Sequence, residues 1–75
     1  NAALYPNPAS NNVIVKVENK NLVSIDLFDI SGRLMIKKEF YSQTSFDINK
    51  WSEGIYIYRI QSKDGSYTMG KLIKQ

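Results

Sequence analysis

The chain has 75 residues, of which 43% are hydrophobic and 12% aromatic, so it is long enough for one packed domain and too short for two. It contains neither cysteine nor histidine, which excludes disulfide frameworks and thiolate chemistry and removes the commonest general base and metal ligand. The net charge of +3 lies in the second half of the chain and is too small to favour nucleic acid as a partner.

No run of apolar residues approaches the roughly 18 that cross a bilayer, so we expect no membrane span. Residues 1–75 are predicted to form a single domain. Residues 1–3 have the character of the end of a linker from a preceding domain. Because the chain begins at Asn1 without an initiator Met, we expect a piece of a longer protein, with any export signal upstream.

Apolar and polar residues alternate through most of the chain, and no segment has the spacing of an amphipathic helix. Turn-forming residues, including Tyr41–Thr44, interrupt the alternation about every ten residues, which is typical of antiparallel strands. The fold class is therefore all-β, a small antiparallel sandwich. We predict seven strands, in chain order, over residues 3–5, 13–18, 22–28, 33–40, 45–48, 55–62 and 67–74.

Pro6 and Pro8 lie on either side of Asn7 after the first predicted strand. Since proline fixes φ and has no N–H to donate, this segment is predicted to be extended and unable to pair fully within a sheet. Its structural interpretation is a stiff connection between strands. Its functional interpretation is a recognition element, and the two are compatible.

The run Asp29-Ile30-Ser31-Gly32-Arg33 follows the third predicted strand. An aspartate that accepts local N–H groups and a glycine in a left-handed conformation are ordinary turn chemistry. Arg33, leaving that turn, could also bind a carboxylate of a partner, because its guanidinium is a rigid fork of donors. Asp64-Gly65 predicts a second, tighter hairpin turn.

Gly54-Ile55-Tyr56 opens the sixth predicted strand. The glycine turns a corner, and we expect Tyr56, Tyr58 and Ile60 to pack inward, since an aromatic ring contributes a large buried area. Trp51, just before the corner, is predicted to cap one end of the core.

The last predicted strand carries lysines whose outward direction would discourage aggregation between sheet edges. Lys71 and Lys74 stand on either side of Leu72 and Ile73. Because these two apolar residues are adjacent, the alternation does not say which of them faces the core.

Catalytic, metal and cofactor sites are not expected. No serine stands in a recognisable nucleophile motif with lysine. Asp26 and Asp29 are three residues apart, which would direct them to opposite faces of a strand, so solvated surface and turn roles are favoured over a catalytic pair. A calcium site would need several carboxylates or carbonyls gathered in one loop.

The order of the motifs carries more information than any one of them. Tyr5-Pro6-Asn7-Pro8-Ala9, Asp29-Ile30-Ser31-Gly32-Arg33, and Gly54-Ile55-Tyr56 running into Lys71-Leu72-Ile73-Lys74 resemble the C-terminal sorting domain of type IX secretion cargo. The resemblance covers nearly the whole chain. It implies an immunoglobulin-like β-sandwich and a non-catalytic address label at the end of a larger secreted protein.

The resemblance also implies a route and partners. The precursor would cross the inner membrane with a signal peptide, and the domain would fold in the periplasm. The outer-membrane type IX translocon would then recognise it. A sortase-like cysteine protease would remove the domain, and the upstream cargo would be attached to the surface of the Gram-negative cell or released.

The resemblance assigns roles to particular residues. Gly54 and Tyr56 are mainly structural. Cleavage is expected at or shortly before Asn1-Ala2-Ala3, where small residues would let the backbone extend into a protease cleft. Translocon recognition is assigned to Pro6, Asn7, Pro8, Asp29, Gly32, Arg33, Lys71, Leu72, Ile73 and Lys74.

Two other classes of function stay open from the residues alone. In a carbohydrate-binding or adhesive module, three coplanar exposed rings would form the site, whereas buried rings would remove the main support for it. A hydrolase fragment is a weaker alternative because histidine and cysteine are missing. Edge strands could also pair into a weak dimer. The candidate sugar-binding aromatics are Tyr5, Tyr41, Trp51, Tyr58 and Tyr67.

Overall fold

The computed structural model of the protein describes residues 2–75, which contain seven strands and no helix. The all-β prediction is confirmed, and each predicted strand is present with bounds that differ by no more than two residues. The strands are β1 (Ala2–Tyr5), β2 (Asn12–Val17), β3 (Leu22–Phe28), β4 (Leu34–Tyr41), β5 (Gln43–Asp47), β6 (Gly54–Ser62) and β7 (Tyr67–Lys74).

The strands form two antiparallel sheets that face each other. One sheet has three strands in the order β1-β2-β5, and the other has four in the order β4-β3-β6-β7. The small β-sandwich predicted from the alternation is therefore confirmed. Strands β4 and β7 form the two edges of the four-stranded sheet.

The core lies between the sheets and is built from the apolar positions of the alternating runs. Every second side chain of a strand points to the same face, so one set of apolar residues from each strand meets the set of the opposing sheet. The largest wholly buried side chains are Ile25, Leu27, Ile48, Leu72, Val13 and Val15.

The structure shows which side chains of the last strand face the core, a point that the sequence left open. Leu72 is wholly buried, whereas Ile73 is 40% exposed. Leu72 pairs with Tyr56 of β6, which also points inward, and Ile73 pairs with Ile55, which points outward. The inward and outward faces of β7 therefore follow those of β6.

The predicted turn over Tyr41–Thr44 is shorter than expected, because Tyr41, Gln43 and Thr44 lie in strands. Strand β4 ends at Tyr41 and β5 begins at Gln43, so only Ser42 separates them. Ser42 has a φ of 61°, and its carbonyl accepts a hydrogen bond of 2.8 Å from the N–H of Val17 in β2. The chain thus passes from one sheet to the other through a single bent residue.

The prediction that residues 1–3 belong to a linker needs correction for Ala2 and Ala3. Both lie in β1, where Ala2 pairs with Val17 and Ala3 with Lys16 of β2. Alanine has low strand propensity, but main-chain pairing with β2 is sufficient to include both residues in the sheet. Asn1 lies outside the described residues.

The two ends of the sandwich carry different segments. At the end that we call the motif end, β3 ends at Phe28, β4 begins at Leu34, β6 begins at Gly54 and β7 ends at Lys74. At the opposite end, which we call the N-terminal end, Ala2 lines the same cavity as Ser62 at the end of β6 and Tyr67 at the start of β7.

Candidate functional site

The connection between β3 and β4 is a tight turn at the motif end. The N–H of Gly32 donates to the carbonyl of Asp29 at 3.0 Å, and the N–H of Asp29 donates to the carbonyl of Arg33 at 2.9 Å. Gly32 has a φ of +91°, a conformation that side chains with a Cβ rarely adopt. The glycine is therefore required for the turn, as the sequence predicts.

The carboxylate of Asp29 holds the turn together. Its Oδ1 accepts hydrogen bonds from the Ser31 hydroxyl at 2.7 Å, the Ser31 N–H at 3.0 Å and the Arg33 N–H at 2.9 Å. The hydrogen bond from the Ser31 hydroxyl, together with the backbone N–H of Arg33, lowers the pKa of Asp29. The carboxylate is thus charged and internally satisfied.

Arg33 projects from the turn into solvent. Its Nε lies 3.2 Å from Oδ2 of Asp29, and its side chain is 72% exposed. The Nη2 atom also lies 3.5 Å from the Met35 sulfur. One edge of the guanidinium is held by Asp29, which leaves a fixed and exposed donor group on the outer side of the turn.

The proline segment, residues 6–9, lies along the edge of β7. The Asn7 side chain donates from Nδ2 to the Lys71 carbonyl at 2.8 Å and accepts from the Ile73 N–H through Oδ1 at 3.0 Å. Because proline cannot donate a main-chain hydrogen bond, the amide of Asn7 takes the place of a strand partner. The Tyr5–Pro6 and Asn7–Pro8 peptide bonds are both cis.

Ala9 continues this pairing with its main chain. Its N–H donates to the Ile73 carbonyl at 2.9 Å, and its carbonyl accepts from the Gln75 N–H at 2.8 Å. The bridge to Lys74 is parallel, and Ala9 is almost wholly buried. This role of Ala9 was not predicted, although a small apolar residue directly after the two prolines was the available signal.

The four residues of β7 that were assigned to recognition differ in their exposure to solvent. Lys71 and Ile73 are accessible to a partner. Leu72 is wholly buried, and Lys74 is 8% exposed with its Nζ donating to the Gln75 carbonyl at 2.8 Å. Leu72 and Lys74 are therefore not accessible to a partner in the folded domain, and a role of theirs in recognition stays a prediction.

Gly54 and Tyr56, which were assigned a mainly structural role, both lie at the start of β6. Gly54 begins β6 and pairs with Lys74 at the end of β7. Tyr56 is buried, and its hydroxyl donates to the Ser52 carbonyl at 2.7 Å. The Trp51 ring packs beside it with ring centroids 4.9 Å apart, so Trp51 covers this end of the core as predicted.

A groove of about 230 Å³ joins the Asp29 turn to the start of β6. Asp29, Ile30 and Arg33 line one side of it, and Glu53 and Ile55 line the other. The turn, the corner at Gly54, the end of β7 and the proline segment thus all lie at the motif end. The structure brings together motifs that are far apart in the sequence.

Comparison with known proteins agrees with this arrangement. The sequence profile of the secretion system C-terminal sorting domain family matches residues 3–75. The chain belongs to this family. The expected resemblance to type IX sorting domains is confirmed, and the domain is a non-catalytic C-terminal secretion signal that sorts cargo.

Two much longer enzymes contain regions similar to this sorting domain. An endo-acting ulvan lyase of Formosa agariphila is 29% identical over 72 residues, which cover 93% of this chain and 14% of the enzyme. A funoran endo-beta-hydrolase of Wenyingzhuangia aestuarii is 33% identical over 72 residues, covering 91% of this chain and 9% of the enzyme. The sorting domain therefore spans only a small part of the length of these relatives.

Asp26 was predicted to lie at the solvated surface, but its side chain is buried. Its side chain is 6% exposed on the outer face of the four-stranded sheet, where Lys37 Nζ lies 3.1 Å and Arg59 Nη2 3.0 Å from its two oxygens. Burial opposes ionisation, but the hydrogen bonds from Arg59 and Lys37 outweigh it and lower the pKa of Asp26. Strand register explains the burial, because both cations are on directly paired strand positions.

The aromatic residues of the sorting domain do not form one sugar-binding platform. Trp51 and Tyr58 pack against the core, and the Tyr58 ring also lies over Gly70 of β7. Tyr41 and Tyr67 are exposed, but they lie on β4 and β7, the opposite edges of the sheet. Tyr5 is in the other sheet.

Over residues 2–75, no helix is long and apolar enough to cross a membrane. In the same part of the chain, no group of three or more acidic side chains is placed to hold a metal ion.

Proposed function

We propose that the motif end is the surface by which the outer-membrane type IX translocon recognises this sorting domain. The observation that carries the proposal is the hydrogen bonding of Asn7 to Lys71 and Ile73, across 64 and 66 residues of sequence. These bonds join the first and last motifs into one surface. The Asp29 turn borders the same end through the groove that it shares with Ile55.

Within this surface, the recognition residues divide into contacting and shaping groups. Arg33 and Lys71 are exposed cations that can bind carboxylates of the translocon. Asp29 and Gly32 hold Arg33 in place, and Pro6, Asn7 and Pro8 shape the strip that covers the edge of β7. Ile73 offers apolar surface beside Lys71.

We further propose the order of events for the precursor. The domain folds in the periplasm behind an upstream cargo domain, and the translocon carries both across the outer membrane. A sortase-like cysteine protease then cuts near residues 1–3, and the cargo is attached to the cell surface or released. Because Ala2 and Ala3 are paired with β2, a protease that needs an unpaired substrate would cut on the N-terminal side of Ala2.

The position of the cut relative to the motif end supports this order. Ala2 lies at the N-terminal end of the sandwich, at the opposite end from the Asp29 turn. The translocon can therefore hold the motif end while the protease approaches the cargo connection. Mass spectrometry of mature cargo should find no residues beyond Tyr5, and cargo that still carries them would contradict the proposed cut.

The test of recognition is export of a fluorescent passenger that carries a signal peptide and residues 1–75, in a bacterium with a working type IX system. Passenger should appear outside the cell with the intact domain and stay in the periplasm when Tyr67–Gln75 is removed. Arg33→Ala should reduce export, whereas Lys63→Ala, an exposed cation at the N-terminal end, should not. Export of Arg33→Ala at the wild-type level and equal stability would remove Arg33 from the proposal.

A further inference from the structure

The outer face of the four-stranded sheet points away from the other sheet. Residues that pair directly across strands share a face, and so do alternate residues of one strand. Phe28 pairs with Leu34 and with Ile57, and Ile55 pairs with Ile73. Because none of these five belongs to the buried core or to the residues packed against it, they lie together on the outer face.

This cluster, which we call the apolar patch, consists of large side chains left in contact with solvent. Leu34, Ile55 and Ile73 are 49%, 42% and 40% exposed, and Phe28 and Ile57 are half-buried between them. Single exposed apolar residues are common on protein surfaces, whereas these five side chains come from four adjacent strands and form one cluster. All five residues lie at the motif end.

The other half of the same face is built differently. There the buried carboxylate of Asp26 pairs with Lys37 and Arg59. The adjoining paired positions are also polar: Ser24 lies between Glu39 and Gln61. This half also carries exposed Tyr41, Tyr67 and Met69, but they lie on the edge strands β4 and β7, on either side of the polar and charged residues. Apolar side chains from all four strands adjoin one another only at the motif end, beside the recognition motifs.

We propose that the apolar patch is the docking surface for the secretion-system component that reads the motif end. This inference rests on the proposed function. The partner would present an apolar surface to the patch and a carboxylate to Lys71, which pairs with Ile57 at the margin of the patch. The three ion pairs among residues 2–75 involve Asp29 with Arg33 and Asp26 with Lys37 and Arg59, so Lys71 is free to bind that carboxylate.

The size of the patch argues against a second copy of this chain as the occupant. Four strands about 4.8 Å apart, with about four residues each at about 3.3 Å, cover on the order of 250 Å². A stable protein interface buries about 800 Å² on each partner. A symmetric pair would also bring two Lys71 ammonium groups to the same small interface, which is unfavourable.

A partner that also contacts the motif end buries more area than the patch alone provides. Specific interfaces have an apolar centre and a polar rim. The patch supplies the centre, while Arg33, Lys71 and the proline segment supply a rim on two sides. The outer face and the motifs would then form one continuous docking site.

The test compares two double variants in the passenger export assay. Ile55→Thr with Ile73→Thr keeps β-branched residues in both strands but removes apolar surface from the patch. Tyr41→Thr with Tyr67→Thr removes exposed apolar surface from the other half of the same face. We expect extracellular passenger to fall about tenfold for the patch variant, as for a central interface residue, and to stay at the wild-type level for the control.

A second pair of measurements covers the case in which the double variant fails to fold, which circular dichroism of residues 1–75 would reveal. Lys71→Glu changes only an exposed charge, and export should fall because the expected carboxylate is then repelled. A photo-crosslinking residue at position 73, but not at position 41, should become joined to an outer-membrane protein of the type IX system.

The outcomes separate this inference from the proposed function. Normal export of the folded patch variant, with export lost in Arg33→Ala, would overturn the patch and leave motif recognition in place. No export of the intact domain would overturn both. Sedimentation of residues 1–75 should show a monomer, and a dimer that the patch variant abolishes would overturn the proposed partner in favour of a second copy.

Discussion

Two turns in this sorting domain use the same local chemistry at opposite ends of the molecule. Oδ1 of Asp29 accepts from the Ser31 N–H at 3.0 Å and from its hydroxyl at 2.7 Å. Oδ1 of Asp64 accepts from the corresponding groups of Ser66 at 2.9 and 2.7 Å. In each turn a serine hydroxyl is the main cause of a lowered aspartate pKa.

The turns differ in what surrounds them. The Asp29 turn carries Ile30, which is 83% exposed, and Arg33, and it lies at the motif end. The Asp64 turn joins β6 to β7 at the N-terminal end. An aspartate turn with a glycine is therefore explained by backbone geometry, and only its position beside other motifs connects it with sorting.

The largest expected difference between the turns is in export. Asp29→Ala frees Arg33 and the backbone of a turn that the translocon would contact, whereas Asp64→Ala loosens a turn remote from the motif end. Passenger export should fall about tenfold for Asp29→Ala, the effect expected of an anchoring interface residue, and stay near wild type for Asp64→Ala. Melting temperatures of both variants, measured in parallel, control for stability. Equal export losses would contradict a sorting role that belongs to the Asp29 turn alone.

The two glycines should have equal effects on stability. Gly32 and Gly65 have φ of +91° and +93°, and an added Cβ would meet no atom within 4 Å at either position. The cost of Gly32→Ala or Gly65→Ala is therefore backbone strain alone, about 1–2 kcal/mol in the free energy of unfolding. Urea unfolding of residues 1–75 measures both, and a much larger loss for one glycine would show that the turns are not equivalent.

Replacing Ile30 tests whether the exposed tip of the Asp29 turn contacts the translocon, without changing the conformation of the turn. Since the side chain is 83% exposed, Ile30→Ser should change the free energy of unfolding by less than about 0.5 kcal/mol. Export should nevertheless fall severalfold if the translocon contacts the tip of the turn. Tyr67→Ser, which removes an exposed apolar residue beside the Asp64 turn, is the control. Unchanged export with Ile30→Ser would exclude Ile30 from recognition.

Acid should destabilise both turns to a similar extent, and by less than the substitutions described above. The pKa of each aspartate is lowered below its ordinary value of 3.8 in the folded state. Their contribution to stability is therefore present above that value and is lost as pH falls through the folded-state pKa. Melting temperatures measured from pH 7 to pH 2 should decline below about pH 4, and the decline should be shallower in Asp29→Ala and in Asp64→Ala. A steeper decline in either variant would contradict the assignment.

Local features of the sorting domain were predictable because they depend on neighbouring residues. The alternation identified all seven strands, and the pairing of aspartate with glycine identified both tight turns. The positions of Leu72 and Asp26 were not predictable. Leu72 and Ile73 are equally apolar, and Asp26 becomes buried only because Lys37 and Arg59 stand beside it on two neighbouring strands.

The recognition surface was predictable only as a set of separate motifs. Their residue types identified the family. Lys74, however, was assigned to the recognition surface and is buried in the structure. Ala9 and the apolar patch were not identified, since the sequence does not give the strand order. In the order β4-β3-β6-β7, residues such as Phe28, Ile57 and Ile73 come together from three strands.

Four features of this protein follow from its amino-acid sequence: the all-β class, the strands, the two aspartate turns and the membership in the sorting-domain family. Each depends on patterns within a few residues or on the order of short motifs. Three others follow from the fold: the proline segment covers the edge of β7, Lys74 turns inward, and an apolar patch forms at one end of an outer sheet face. These features depend on contacts between residues far apart in the chain, such as the two hydrogen bonds of Asn7. Such contacts exist only once the strands have taken their places in the sheets.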